Sequence, residues 1–151
     1  KSPIGISAAI LLKILMVYIC VILACSNPSE QEEARLTDNY PSPKWLSSLF
    51  EGFYDPCPLN GEGMRSTDGL GDWKNKNFVN PPYSEKDKWI DKAIEEHKKG
   101  KTVILLLPCD PSTKWFMKLI GARAHIFFSF GRIQFSEGGH AKYPSMLAIL
   151  A

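Results

Sequence analysis

The sequence predicts an α/β domain with a mostly parallel sheet, and three observations carry that expectation. Residues 102–107 (TVILLL) are an unbroken apolar run of strand length, as in a strand buried on both faces. Segments with helically spaced apolar residues lie on either side of it, around Trp89–Ile94 and Trp115–Ile120. Unusual turns at Asp55, Asn80 and Pro108 each close an apolar stretch, so strand and helix alternate along the chain.

The elements follow in order. Ser42 is placed to cap a helix that has Pro43 at its first position and buries Leu46, Leu49 and Phe50. Phe53 and Tyr54 end a short strand before the turn Asp55-Pro56-Cys57-Pro58. Residues 59–77, rich in Gly, Asn and Asp, form a long loop of the kind that often carries function. Phe78 and Val79 end a second strand. Ser84, answered by Asp87, caps a helix with the apolar stripe Trp89, Ile90, Ala93 and Ile94, which stops at Gly100. After the 102–107 strand, Ser112 or Thr113 caps a helix bearing Trp115, Phe116, Leu119 and Ile120, which stops at Gly121. Three strands close the chain at His125–Phe128, residues 132–135 and Ser145–Leu150, the first two read as a hairpin across Ser129-Phe130-Gly131. Ligands of such sheets sit beyond the carboxyl ends of the strands, so one pocket lined by the turns at Asp55, Asn80 and Pro108 is expected.

The 151 residues suffice for one domain with a real core. A net charge of +2 does not demand a polyanionic partner, but the charge is unevenly spread. Residues 26–70 hold eight acids against three bases, whereas residues 111–142 hold five bases against Glu137, a balance suited to a phosphate backbone or simply to a solvated surface. Cys20, Cys25, Cys57 and Cys109 form no C-x-x-C pair, and His97, His125 and His140 are scattered, which argues against a zinc site. No disulfide framework is suggested, although Cys57 and Cys109 are able to meet in space.

Residues 4–25 are almost wholly apolar apart from Lys13. Three readings stand side by side: a membrane anchor or signal, with Ile22-Leu23-Ala24-Cys25 resembling a lipoprotein signal; an extension from a wrong start; or a buried helix of the domain. Residues 26–39 read as an acidic linker, which leaves residues 40–151 as the functional domain.

Asn80-Pro81-Pro82-Tyr83 carries the chemistry. Two consecutive prolines remove two backbone donors and hold the chain extended, leaving carbonyls to accept. The Asn amide adds an acceptor and a donor, and the Tyr ring a flat face. Rigid acceptors beside a stacking ring suit a planar ligand that bears an NH2 group. Such an amine is a poor nucleophile because its lone pair is delocalised into the ring. Acceptors gripping its hydrogens draw it toward tetrahedral geometry, and an in-line electrophile at near-attack distance then suffices without a strong general base.

The tetrad matches the (N/D/S)-P-P-(Y/F/W) motif of amino-methyltransferases, and its context resembles the phage-type DNA N6-adenine methyltransferase family. The resembling pieces run in one order over residues 40–150: Tyr40-Pro41-Ser42-Pro43-Lys44-Trp45, Asp55-Pro56-Cys57, Asp68-Gly69-Leu70 with Trp73, residues 78–84, Leu105-Leu106-Leu107-Pro108, Thr113-Lys114-Trp115-Phe116, Gly131-Arg132-Ile133-Gln134-Phe135 and Pro144-Ser145-Met146-Leu147.

The resemblance implies a reduced Rossmann-like methyltransferase sheet with a C-terminal antiparallel hairpin, and transfer of a methyl group from S-adenosylmethionine to adenine N6 in double-stranded DNA. Asn80 and the Pro81 carbonyl would hold the target amine, with Pro82 stiffening the corner and Tyr83 stacking on a flipped base. Asp55, Pro56 and Cys57 would bind S-adenosylmethionine, with Asp68 toward its adenosine; Lys114, Trp115 and Arg132 would face DNA. A metal-free cytoplasmic monomer is expected. The chain departs from larger relatives: no F-x-G-x-G turn is present, Gly61 and Gly63 follow Asp55 at longer spacing, and no separate target-recognition domain is visible. Cytosine N4, an RNA base or a protein glutamine amide presents the same NH2 chemistry, and a membrane-tethered homologue without catalysis is the reading from another class.

Overall fold

The computed structural model describes Lys13, Leu15, Met16 and residues 41–59, 68–136, 139–141 and 143–151. Apart from those first three residues, which are helical, the expectations for residues 1–40 fall outside the described residues, as does the Gly61 to Gly63 stretch. Among the described residues no helix is long and apolar enough to cross a membrane.

The apolar run is a strand, β2 (Thr102–Pro108), buried from its second residue onward. A period of two sends its side chains to opposite faces. Val103, Leu105 and Leu107 join Val79, Met146, Ala148 and Leu150 under the two long helices, α2 (Lys86–Lys98) and α3 (Lys114–Gly121), which contribute Trp89, Ile90, Ala93, Trp115, Phe116 and Leu119. Ile104 and Leu106 join Phe78, Leu147 and Ile149 on the other face, covered by Leu46 and Phe50 of the α1 region (Lys44–Leu49) and by Ile133. Phe50 and Phe78 stack with centroids 4.7 Å apart. The layers are therefore helix, sheet, helix, and burial of each large aliphatic side chain stabilises them by about 1.5–3 kcal/mol.

The main sheet has four strands in the order β1 (Lys76–Val79), β2, β6 (Ser145–Leu150), β3 (His125–Phe128). β1 pairs with β2 in parallel, and β6 runs antiparallel to both β2 and β3. Tyr54 adds an isolated parallel bridge to Asn77, so the Phe53-Tyr54 segment lies beside β1 as a single bridge where the end of a short strand was expected. An α/β fold is thus present, but its sheet is mixed rather than mostly parallel, with two of its three strand pairs antiparallel, and the expected β3–β4 hairpin is not found among the described residues. β4 (Gln134–Ser136) pairs instead with β5 (Gly139–His140) in a separate two-stranded sheet. Burial explains the difference. All six residues of β6 are buried, so β6 needs a partner on each side, whereas the half-exposed β3 suits the sheet edge.

Thr113 occupies the cap position of α3 as expected, but the other two helices begin later than their capping residues suggested. Pro43 precedes α1, and Glu85, not Ser84, occupies the cap position of α2. Gly100, at φ +86°, ends α2 as expected of a glycine just past a helix.

Candidate functional site

Three of the unusual turns lie along one end of the sheet. Tyr54 faces Asn77 across a parallel bridge, so Asp55 leaves its strand one residue later and Asn80 three residues later. Neighbouring strands are about 4.8 Å apart and each residue advances about 3.3 Å, which puts the two backbones roughly 8 Å apart at the same carboxyl edge. Pro108 ends β2 at that edge, opposite Ser145.

The Asp55 turn is held locally: its Oδ1 accepts the Cys57 backbone N–H at 2.8 Å, an Asx-type turn. Pro56 and Cys57 are buried, while Asp55 stays exposed. The carboxylate borders a cavity of about 440 Å³ walled by Phe50, Phe53 and Phe78, with Ser42, Ser47 and Glu51 supplying polar groups from the α1 side. Lys13 and Lys76 hold their ammonium groups 5.6 and 5.9 Å from the centroid of the Phe53 ring. This cavity touches neither Asn80 nor Pro108, so the single pocket lined by all three turns is not what surrounds Asp55.

Asn80 is 3% exposed and Pro81 is buried, whereas Pro82 and Tyr83 are half-buried. The Pro82 carbonyl accepts the Glu85 N–H at 3.1 Å, and the Tyr83 carbonyl accepts Lys86 Nζ at 3.0 Å. The turn is thus tied down on its helix side, and the strand side is pinned one step earlier. Buried Asn77 gives its amide N–H groups to the carbonyls of Lys74 (2.8 Å) and Thr102 (3.1 Å) and accepts the Lys74 N–H at 3.0 Å. Asn77 had no assigned role in the sequence reading; its place beside a run of Lys and Asn hid it.

The Asp68-Gly69-Leu70 turn is a short 3-10 helix packed directly against the Asp55 turn. A Cβ placed on Gly69 would stand 1.5 Å from the Pro56 carbonyl oxygen, so only glycine permits this approach. The Trp73 indole N–H donates to the Gly69 carbonyl, and the Trp73 carbonyl accepts Lys101 Nζ at 2.8 Å. Lys101 in turn pairs with Glu96, a fully buried carboxylate that also meets Lys92 and Lys99, each at 2.8 Å. Burial pushes the Glu96 carboxyl up, but hydrogen bonds from Lys101, Lys92 and Lys99 outweigh it and hold the group down at about 2. One chain of contacts therefore runs from the end of α2 through Trp73 to the Asp55 turn. The Glu95-Glu96-His97-Lys98-Lys99 run reads in sequence as a solvated face, which concealed Glu96.

The structure brings Asp55, Pro56, Cys57 and the Asp68 turn together, and sets Asn80 to Tyr83 on the neighbouring strand end. Lys114 and Arg132 are exposed, as a DNA-facing rim requires. Trp115 is not on that rim: it is 3% exposed within the core, with its ring against Phe116. Cys57 and Cys109 are thiols and do not form a disulfide. Among the described residues no three His, Cys, Asp or Glu side chains converge as a metal site.

Comparison with known proteins identifies the family. Residues 65–146, more than half of the chain, match the family described as DNA N-6-adenine-methyltransferase (Dam). A protein of Escherichia phage T1 named DNA N-6-adenine-methyltransferase is 31% identical over 93 residues, covering 52% of this chain and 39% of the relative. One of the same name from Haemophilus phage HP1 is 37% identical over 87 residues, covering 52% of this chain and 50% of the relative. The chain thus spans half or less of the length of these curated relatives. No solved structure matches it. On the strength of the family match, the chain belongs to the DNA N-6-adenine-methyltransferase (Dam) family.

Proposed function

We propose that this chain transfers a methyl group from S-adenosylmethionine to N6 of adenine in double-stranded DNA, on a reduced Rossmann-like methyltransferase sheet formed by residues 40–151. The observation that carries the reading is the stiff turn at Asn80-Pro81-Pro82-Tyr83, set one strand away from an acidic turn that borders a cavity. Three parallel segments at Tyr54, β1 and β2 support the Rossmann-like comparison, since their carboxyl ends share one edge.

The cavity beside Asp55 suits the cofactor. Its volume of about 440 Å³ falls within the range of small-molecule sites, roughly 300–1,000 Å³. The carboxylates of Asp55 and Glu51 and the Phe50, Phe53 and Phe78 rings fit a cation with a flat aromatic part. When bound, the cofactor supplies an electrophilic methyl on a sulfonium. The chain's own residues do the rest. Asn80 and the Pro81 carbonyl accept hydrogen bonds from the target amine and oppose the charge it develops, Pro82 keeps the corner rigid, and Tyr83 stacks on the base. Asp55 orients the cofactor, and Pro56, Cys57 and the Asp68 turn packed on it hold the Asp55 turn in place. Lys114 and Arg132 meet phosphates, and buried Trp115 anchors the first turn of α3 beside Lys114.

The test separates binding from transfer. Asn80→Ala is expected to retain calorimetric S-adenosylmethionine binding and to lose labelled-methyl transfer to DNA by at least about a hundredfold, the scale of losing one preorganised group at a reacting centre. Transfer at the wild-type rate would remove the proposed role of the turn.

A further inference from the structure

Phe130 is the most exposed large apolar side chain among the described residues, at 73%. It is not on a slack loop. Ser129 donates its N–H to the Ser145 carbonyl at 2.9 Å, its Oγ accepts the Ser145 N–H at 3.0 Å, and the same Oγ donates to the Gly131 carbonyl at 2.9 Å. Gly131 completes the turn at φ +77°. These bonds fix the turn that carries the exposed ring. Phe128, two residues earlier, and Tyr143, two residues before Ser145, are each 51% exposed, and exposed Arg132 follows Gly131.

Position gives this corner its meaning. Ser129 sits across from Ser145, which pairs with Pro108, so the corner stands at the same end of the sheet as Asn80. Three strand spacings separate them, roughly 14 Å, comparable with the major-groove width of about 12 Å. Exposed Phe130, two residues from exposed Arg132 in a stretch with five bases and one acid over residues 111–142, fits a polyanion that also offers flat apolar faces.

We propose that this corner is a duplex-DNA contact in which the Phe130 ring stacks on the bases beside the pair opened at Asn80, while Arg132 meets the adjoining phosphate. The proposal rests on the DNA methyltransferase reading above. Removing a base from the stack exposes the faces of its neighbours, and an inserted ring re-covers them.

Phe130→Trp and Phe130→Ala, both at an exposed site, test this with the full chain and an unmethylated DNA duplex. With the wild-type emission subtracted, the indole at position 130 is expected to lose intensity when duplex is added. Fluorescence polarisation is expected to show about ten- to a hundredfold weaker duplex binding by Phe130→Ala, the scale of one lost base–aromatic stack. Unchanged indole emission with unchanged affinity of Phe130→Ala, in a wild-type protein that binds and methylates DNA, would overturn the proposal and leave the enzymatic reading intact. A wild-type protein that neither binds nor methylates DNA would overturn both. A shift that follows protein concentration without DNA would assign the corner to a second copy of the chain and overturn the proposal.

Discussion

Gly69→Ala probes how the two turns beside the cavity are held. The new methyl would stand 1.5 Å from the Pro56 carbonyl oxygen, 2.6 Å from its carbon and 2.7 Å from the Trp89 ring. A tolerable carbon–oxygen contact is about 3.3 Å, so the turns must part by roughly 2 Å. Neither obstacle can swing aside: one is backbone, and the other is an indole that is 2% exposed. Overpacking of this kind costs about 1–3 kcal/mol, and a weakened bond from the Trp73 indole to the Gly69 carbonyl adds about 1 kcal/mol. A total near 2–4 kcal/mol lowers Tm by about 6–15 °C for a domain of this size. Calorimetry of the variant reads that shift, and titration with S-adenosylmethionine is expected to show at least about tenfold weaker binding because Asp55 to Cys57 move. Gly121→Ala is the control: its Cβ meets nothing within 4 Å at the end of α3, and the variant is expected to gain about 0.4–1 kcal/mol. Wild-type Tm and cofactor affinity in Gly69→Ala would refute the packing of the two turns.

Two further outcomes follow from charge. Glu96 is held at about 2 in the folded protein, below its unfolded value, so its stabilisation is present above about pH 5 and is lost as pH falls toward the folded value. The unfolding free energy of Glu96→Gln from urea titration is therefore expected to lie about 1–3 kcal/mol below wild type near neutrality, less than for a fully buried pair because Lys99 is 47% exposed, and the gap is expected to close in acid. Cys109 has its thiol raised, first by burial and then by the Asp110 carboxylate. Its alkylation by iodoacetamide near neutral pH is expected to be slower than that of a free cysteine, and Asp110→Asn is expected to speed it.

Much of the fold was legible because burial leaves a clear mark on sequence. The 102–107 run, His125–Phe128 and Ser145–Leu150 are strands where the pattern put them. Their neighbours were not legible: Phe130-Gly131 has the chemistry of a hairpin turn, but long-range burial gives β6 the place between β2 and β3. The same limit applies at the site. Asn80 and Asp55 announce themselves through proline-rich turns, whereas Asn77, Glu96 and the α1 wall of the cavity depend on contacts across the fold. Trp115 shows the reverse error, since its helical spacing marks a buried aromatic, whereas the family resemblance implied a DNA-facing role.

The central claim is that the Asn80 corner grips an exocyclic amine for methyl transfer. Incubation of the protein with labelled S-adenosylmethionine and unmethylated duplex DNA, followed by nucleoside analysis, tests it most directly. Label is expected in N6-methyl-2′-deoxyadenosine, and none above background with a folded Asn80→Ala protein. Label in a carbon-methylated base, or no label from a folded protein that binds both cofactor and DNA, would contradict it.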